Sequence, residues 1–235
     1  MLVTPVALFA FLSVCLAAPP RAAIHAVVEA EFAFSGATRR TETEYWLAPD
    51  RAWVKQQSRI TITRRDLGVR WRLDPAKRTY EEEKLPTAAP REPVAEARDI
   101  ATARFDYEPA FDWTTGPKGQ EATVAGRVCR QFSAHGEADY AYTNIRFAIG
   151  PRITLKTELE INRLLASQAR TSAAERFLAE AGPTHGNGCL MSFEETYEAA
   201  IASGMIRRAK FSLLEQVQAP PGIFDVPEGF TRASR

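Results

Sequence analysis

The stretch YWLAPDRAWVKQQSRITITRRDLGVRWRLDPAKRTYEE, residues 45–82, decides the fold. It reads as short strands separated by Pro, Asp and Gly: Tyr45-Trp46-Leu47, Ala52-Trp53-Val54-Lys55, Ile60-Thr61-Ile62-Thr63, Val69 to Leu73, and Thr79 to Glu82. The turns fall at Pro49-Asp50, Asp66-Leu67-Gly68 and Asp74-Pro75-Ala76-Lys77. Alternating apolar and polar residues between such punctuation predict an antiparallel meander with one buried face. Side chains in a strand alternate with period two, so Ile60 and Ile62 share a face, as do Val69, Trp71 and Leu73. Thr61, Thr63, Arg70 and Arg72 point the other way. A curved sheet follows, apolar on one side and wet on the other.

Outward from this ladder the pattern continues. Ile24 to Phe34 forms a first long strand, Gly36 turns it, and Glu42 leads into the ladder. Between Lys84 and Pro109, Pro86, Pro90, Pro93 and Pro109 interrupt any periodicity. Proline removes a ladder donor, so this is an excursion from the meander. Strand signals return at Phe111–Thr114, Gln120–Val124, Val128–Phe132 and Tyr140–Ile149, with a phase slip near Asn144 that predicts a bulge. Leu155, Leu159, Leu164 and Leu165 suit an amphipathic helix. A second helix starts with Ser172 as N-cap and Glu175 three residues on, and Gly182-Pro183 stops it. Ser192 with Glu195 predicts a third, carrying Phe193, Tyr197, Ala200 and Ile201 and ending at Gly204. A last strand, Arg207–Val217, leads to Phe224-Asp225-Val226-Pro227-Glu228-Gly229-Phe230.

The 235 residues suit one domain, and a net charge of +1 with interspersed signs argues against nucleic-acid binding. Met1 to Ala18 is apolar and uncharged, and ends in small residues. A run of that length predicts a secretory signal within residues 1–23, cut near 17–23, ahead of a mature domain at 24–235. Leu12-Ser13-Val14-Cys15 resembles a lipobox, but Val14 stands where Gly or Ala is usual, so soluble export to the periplasm is expected over anchoring through Cys15. In an oxidising compartment the remaining pair, Cys129 and Cys189, predicts a disulfide. It would close a loop of about 60 residues, worth roughly 4 kcal/mol.

No catalytic motif stands out. Of three histidines, His185 lies four residues from Cys189, too few ligands for zinc. Glu81-Glu82-Glu83 and Glu194-Glu195 are adjacent carboxylates rather than a set acid/base pair. There is no nucleophile elbow, Walker loop, dinucleotide fingerprint or EF-hand. No enzyme activity, cofactor or metal is expected. The aromatics are more informative: Trp46, Trp53, Trp71 and Trp113 all fall in the sheet region, with Tyr80, Phe111 and Phe132. They line a ligand cavity or fill a core. The candidate cavity residues are Trp46, Trp53, Ile60, Ile62, Val69, Trp71, Leu73 and Trp113.

Trp53-Val54-Lys55, the run Arg65 to Tyr80 and the ending Phe224–Phe230 together resemble a family of exported bacterial domains bearing a W-x-L-D-P-x-K-x-T-Y hairpin and an F-x-V-P-x-G-F/Y ending. That family is similar to the periplasmic lipoprotein-carrier superfamily, LolA/LolB-like with LppX/LprG relatives. The resemblance spans about Tyr45 to Phe230. It implies an α+β fold: a strongly curved antiparallel sheet, an unclosed half-barrel, with helices covering the concave face. In the characterised carriers the gap between sheet and helices holds acyl chains. The implied function is periplasmic binding of a lipid or of lipoprotein acyl chains by a monomer that meets the membrane transiently. The alternative is a non-enzymatic envelope interaction domain with a filled core. No ligand-contacting residue carries over by position.

Overall fold

The computed structural model describes residues 22–86, 111–153, 155–186, 188–199 and 204–233. Met1–Ala18, Cys15 and most of the Pro-rich excursion lie outside them. Twelve strands form one sheet: β1 (Ala22–Phe34), β2 (Ala37–Ala48), β3 (Arg51–Gln56), β4 (Arg59–Arg64), β5 (Val69–Asp74), β6 (Thr79–Lys84), β7 (Asp112–Val124), β8 (Arg127–Ala138), β9 (Ala141–Ile149), β10 (Leu190–Ala199), β11 (Met205–Gln218) and β12 (Thr231–Arg232). Two helices, α1 (Leu155–Ala166) and α2 (Ser172–His185), intervene between β9 and β10. The order across the sheet is β12-β6-β5-β4-β3-β2-β1-β11-β10-β9-β8-β7, antiparallel except for β12 on β6. Among the described residues nothing joins β12 to β7, so the sheet is unclosed, and it curls enough for Arg127 of β8 to donate to the Leu214 carbonyl of β11 at 3.1 Å across two intervening strands. This is the α+β open half-barrel expected. No helix among the described residues is long and apolar enough to cross a membrane.

Turn chemistry sets the registers. Ser35-Gly36 and Ala125-Gly126 both have positive φ at each central residue, as a two-residue type I′ hairpin requires. Asp74 Oδ1 accepts from the backbone N–H of Ala76 and Lys77 at 3.1 and 3.2 Å, closing the turn between β5 and β6.

Five details depart from the sequence reading. Ser192–Glu195 starts no helix: β10 buries Met191, Phe193, Glu195 and Tyr197 in strand alternation. The N-cap of α2 is Thr171, whose hydroxyl accepts from Ala174 N at 3.0 Å, one residue before Ser172. Gly182-Pro183 does not stop α2, which runs to His185. Pro183 has no N–H for the Ala179 carbonyl, but Asn162 Nδ2 of α1 donates to that oxygen at 3.3 Å and replaces the missing bond. β9 shows no bulge at Asn144; the inward position that seemed skipped is held by buried Thr143, bonded to Glu195. The two strands expected at Phe111–Thr114 and Gln120–Val124 are one edge strand, β7, which starts at Asp112 and shifts register between Pro117 and Glu121.

The disulfide is absent. Cys129 and Cys189 are both buried thiols, not joined to each other. Ile149 pairs with Arg130 on one side and Leu190 on the other, so β9 runs between the two cysteines. Two strand spacings are about 9.5 Å, beyond the roughly 7 Å that a bridge spans.

The sheet has two packed faces. On the helix face Ile24, Ala26, Val28, Tyr45, Phe132, Ile145, Phe147, Phe193, Phe211 and Leu214 pack with Ile161, Leu165 and Leu178 of the helices. On the opposite, open face a smaller cluster of Trp53, Ile62, Leu73 and Phe224 packs with Trp46, Trp71, Tyr80, Ile223 and Phe230.

Candidate binding groove on the open face

The registers place the candidate cavity residues on two different faces. Trp46, Trp53, Ile62 and Trp71 are consecutive cross-strand partners, and Ile60 pairs with Leu73 and Arg64 with Val69. All lie on the open face, because their strand neighbours Tyr45 and Val54 pack into the helix-face core. The helices therefore do not cover the ladder's aromatic row. The C-terminal tail does: Phe224 seats among Trp53, Ile62 and Leu73, and Arg64 clamps it through the Phe224 carbonyl at 3.5 Å and Asp225 Oδ1 at 2.5 Å. Arg64 also forks onto Asp66, holding that carboxyl below its usual range. Trp71 Nε1 donates to Glu82 at 3.0 Å. Trp46 stacks on His25 at 4.1 Å, and His25 sits between Glu44 and Glu215 at 3.0 and 3.2 Å.

Trp113 is the exception. It lies on the helix face, stacked on Phe177 of α2 at 4.4 Å. Phe177 meets Phe147, Phe147 meets Phe132, and His185 packs against all three phenylalanines within 6.2 Å. Aromatic rings thus fill the layer between the sheet and α2. His185 bonds the Ala181 carbonyl through Nδ1 and belongs to this core. No group of three metal-ligating side chains occurs among the described residues.

Open volume lies elsewhere. A depression of about 740 Å³ runs over β2, β1, β11, β10, β9 and β8, lined by Glu29, Glu31, Arg40, Glu42, Gln131, Arg146, Ser192, Glu194, Arg208 and Lys210 among others. A second of about 480 Å³ adjoins it over β7–β10, with Thr114, Thr115, Ser133, His135, Asn144 and Thr196, and shares Arg146 and Glu194. The two form one groove crossing the strands.

A row of directly opposed residues floors it. Arg40 faces Glu31, Glu31 faces Arg208, Arg208 faces Glu194, and Glu194 faces Arg146. The bridges measure 2.8, 3.0, 2.5 and 4.0 Å in that order. Opposite charges on adjacent strands are the sheet's favourable pairing. The Arg40 and Arg208 contacts hold the Glu31 carboxyl below its ordinary range, and Glu194 raises Arg208. Beside the row, Lys210 pairs with Glu29 at 3.1 Å. Farther along β8, His135 is bonded to Glu137 and Asn144, which push its pKa upward. The arrangement offers charge and hydrogen bonds across a broad surface; it sets no nucleophile against a base.

No protein-family profile matches the chain, and no curated protein matches it. Among solved structures it is similar to a LolA superfamily protein from Nitrosomonas europaea, at 12% identity and a TM-score of 0.31, covering 88% of this chain and 91% of that one. A DUF1329 family protein from Desulfovibrio piger gives 13% identity, a TM-score of 0.29 and the same coverages. PNGF-II gives 7% identity and a TM-score of 0.31, the match spanning 90% of this chain but only 31% of that one. Superpositions this loose carry neither ligand nor activity to this chain.

Proposed function

We propose that this chain is an exported, non-enzymatic protein of the cell envelope that binds a polar partner along the open-face groove, its sheet–helix layer serving as a solid core. The observation that carries this reading is the contrast between the two faces. Rings of Trp113, Phe177, Phe147, Phe132 and His185 pack the layer under α2, while about 740 Å³ opens over a charged floor on the other side. Binding sites are concave and carry a few convergent polar groups, which the groove supplies. Export to the periplasm rests on the apolar run Met1–Ala18. A photo-crosslinking residue placed at Ser192, in the groove, tests the reading against one at Leu67, an exposed turn residue that does not line it. Adducts from Ser192 and none from Leu67 are expected in native envelopes; equal labelling from both counts against the groove.

A second reading keeps the hydrophobic ligand. Trp46, Trp53, Ile62, Trp71, Leu73 and Tyr80 form an apolar surface whose cover is the tail from Ala219 to Phe230. A lipid or lipoprotein acyl chain would take that surface with the tail displaced. Lipid extracted in stoichiometric amount from the purified protein would favour it.

A further inference from the structure

We infer that the groove contains a subsite for an oxyanion, centred on Arg146, where the open face's alternating charges break off. The row runs Arg40, Glu31, Arg208, Glu194, Arg146, and each step is a direct cross-strand pair. The next position on β8, opposite Arg146, is Ser133, and beyond it on β7 stands Gly116. Continued alternation would place a carboxylate at Ser133. The sequence places a hydroxyl there instead, and the row ends with three arginines against two glutamates.

The cation left over is identifiable. Glu194 is engaged by Arg208 at 2.5 Å and reaches Arg146 at only 4.0 Å, the one ion pair Arg146 makes among the described residues. The Arg146 side chain is 59% exposed and lines both depressions where they meet. Around it stand Ser133, Asn144, Gln131 and Thr196, neutral groups able to donate to an anion. A Cβ at Gly116 would meet only Ser133 Oγ, at 3.9 Å, so the site is roomy at its far end. An arginine fork flanked by hydroxyl and amide donors is the arrangement that recognises a phosphate group. The ligand class is a phosphate carried on a larger polar molecule, its body lying along the charged row; a phospholipid headgroup and a soluble phosphate compound share that chemistry.

This subsite rests on the groove being the binding surface. Calorimetric titration of the protein with inorganic phosphate, and flotation with vesicles of phosphatidylglycerol or of phosphatidylcholine, test it in three forms: wild type, Arg146→Gln and Ser133→Glu. Ser133→Glu supplies the missing carboxylate, so it is expected to silence the site while melting no lower than wild type. Saturable phosphate binding by wild type, weakened roughly tenfold or more in both variants, is the expected result. Flotation with phosphatidylglycerol alone, lost in Ser133→Glu, would assign the site to a lipid headgroup; phosphate binding without flotation would assign it to a soluble compound. Failure of wild type to bind either probe, or equal binding by Arg146→Gln, overturns the subsite. Crosslinks from Ser192 that persist in that event leave the groove itself standing.

Discussion

Replacing Asn162 by alanine should unfasten the helices from the sheet. Asn162 is fully buried, and its amide joins three elements. Oδ1 accepts from Leu190 N at 2.6 Å where β10 begins, and Nδ2 donates to the Ala179 carbonyl left without a helical donor by Pro183. In Asn162→Ala the buried N–H of Leu190 and the half-buried C=O of Ala179 both lose their partner. At about 1–3 kcal/mol for the buried N–H and about 1 kcal/mol for the half-buried carbonyl, the cost is roughly 2–4 kcal/mol, a large share of a typical domain's stability. Urea unfolding followed by tryptophan fluorescence measures it. The mechanism makes a sharper demand through a double-mutant cycle with Pro183→Ala. That change restores an N–H at position 183 that can bond the Ala179 carbonyl within α2. It should recover about 1 kcal/mol more in the Asn162→Ala background than in wild type. A loss below about 0.5 kcal/mol for Asn162→Ala, or strict additivity in the cycle, would show that Asn162 does not replace the bond Pro183 lacks.

Three further outcomes follow from buried groups. Glu195 is 1% exposed, and burial raises its pKa despite bonds from Arg170 N at 2.8 Å and Thr143 Oγ1 at 3.3 Å. The folded state therefore holds its proton to higher pH than the unfolded chain, so this group's contribution to stability falls as pH rises from about 4.3 through the folded value. Glu195→Gln should flatten that part of the stability–pH curve, and an unchanged slope across denaturant titrations at several pH values would contradict it. Phe224→Ala removes the tail's plug from Trp53, Ile62 and Leu73 and should cost about 3–5 kcal/mol while exposing tryptophan to quenchers; unchanged acrylamide quenching would show that the tail does not cover the row. Finally, Cys129 and Cys189 are buried, and burial raises the Cys129 thiol. Both should resist alkylation in the native protein and both react in unreduced denaturant; a product with neither thiol labelled would mean a bridge forms.

Much of the sheet was legible because strand alternation and turn chemistry act locally. Tyr45 to Glu82 shows both: three of its four hairpins fold where Pro, Asp or Gly mark a turn, and the fourth, between β3 and β4, turns at Gln57-Ser58 with no such mark. The false third helix arose because a charged residue occupies an inward position of β10. Glu195 faces the core between Phe193 and Tyr197, which hides the period of two and leaves Ser192-x-x-Glu195 looking like a cap. The extension of α2 through Pro183 depends on a side chain from α1, so no reading of α2 alone could supply it. The ladder's candidate residues share one face through strand alternation alone, while Trp113 falls on the other; which element covers the ladder is a long-range fact, since Phe224 and Arg64 are 160 residues apart. The charged row was invisible for the same reason. Arg40, Glu31, Arg208, Glu194 and Arg146 become neighbours only when β1 and β11 pair and β10 joins them.

On the proposed function the partner binds over the charged groove and not within the sheet–helix layer. Photo-crosslinking from Ser192 in native envelopes, combined with mass spectrometry of organic extracts of the same purified protein, tests it most directly. Specific adducts from Ser192 with no stoichiometric lipid in the extract are predicted. An extract carrying one lipid per chain, with no adduct from Ser192, would contradict it.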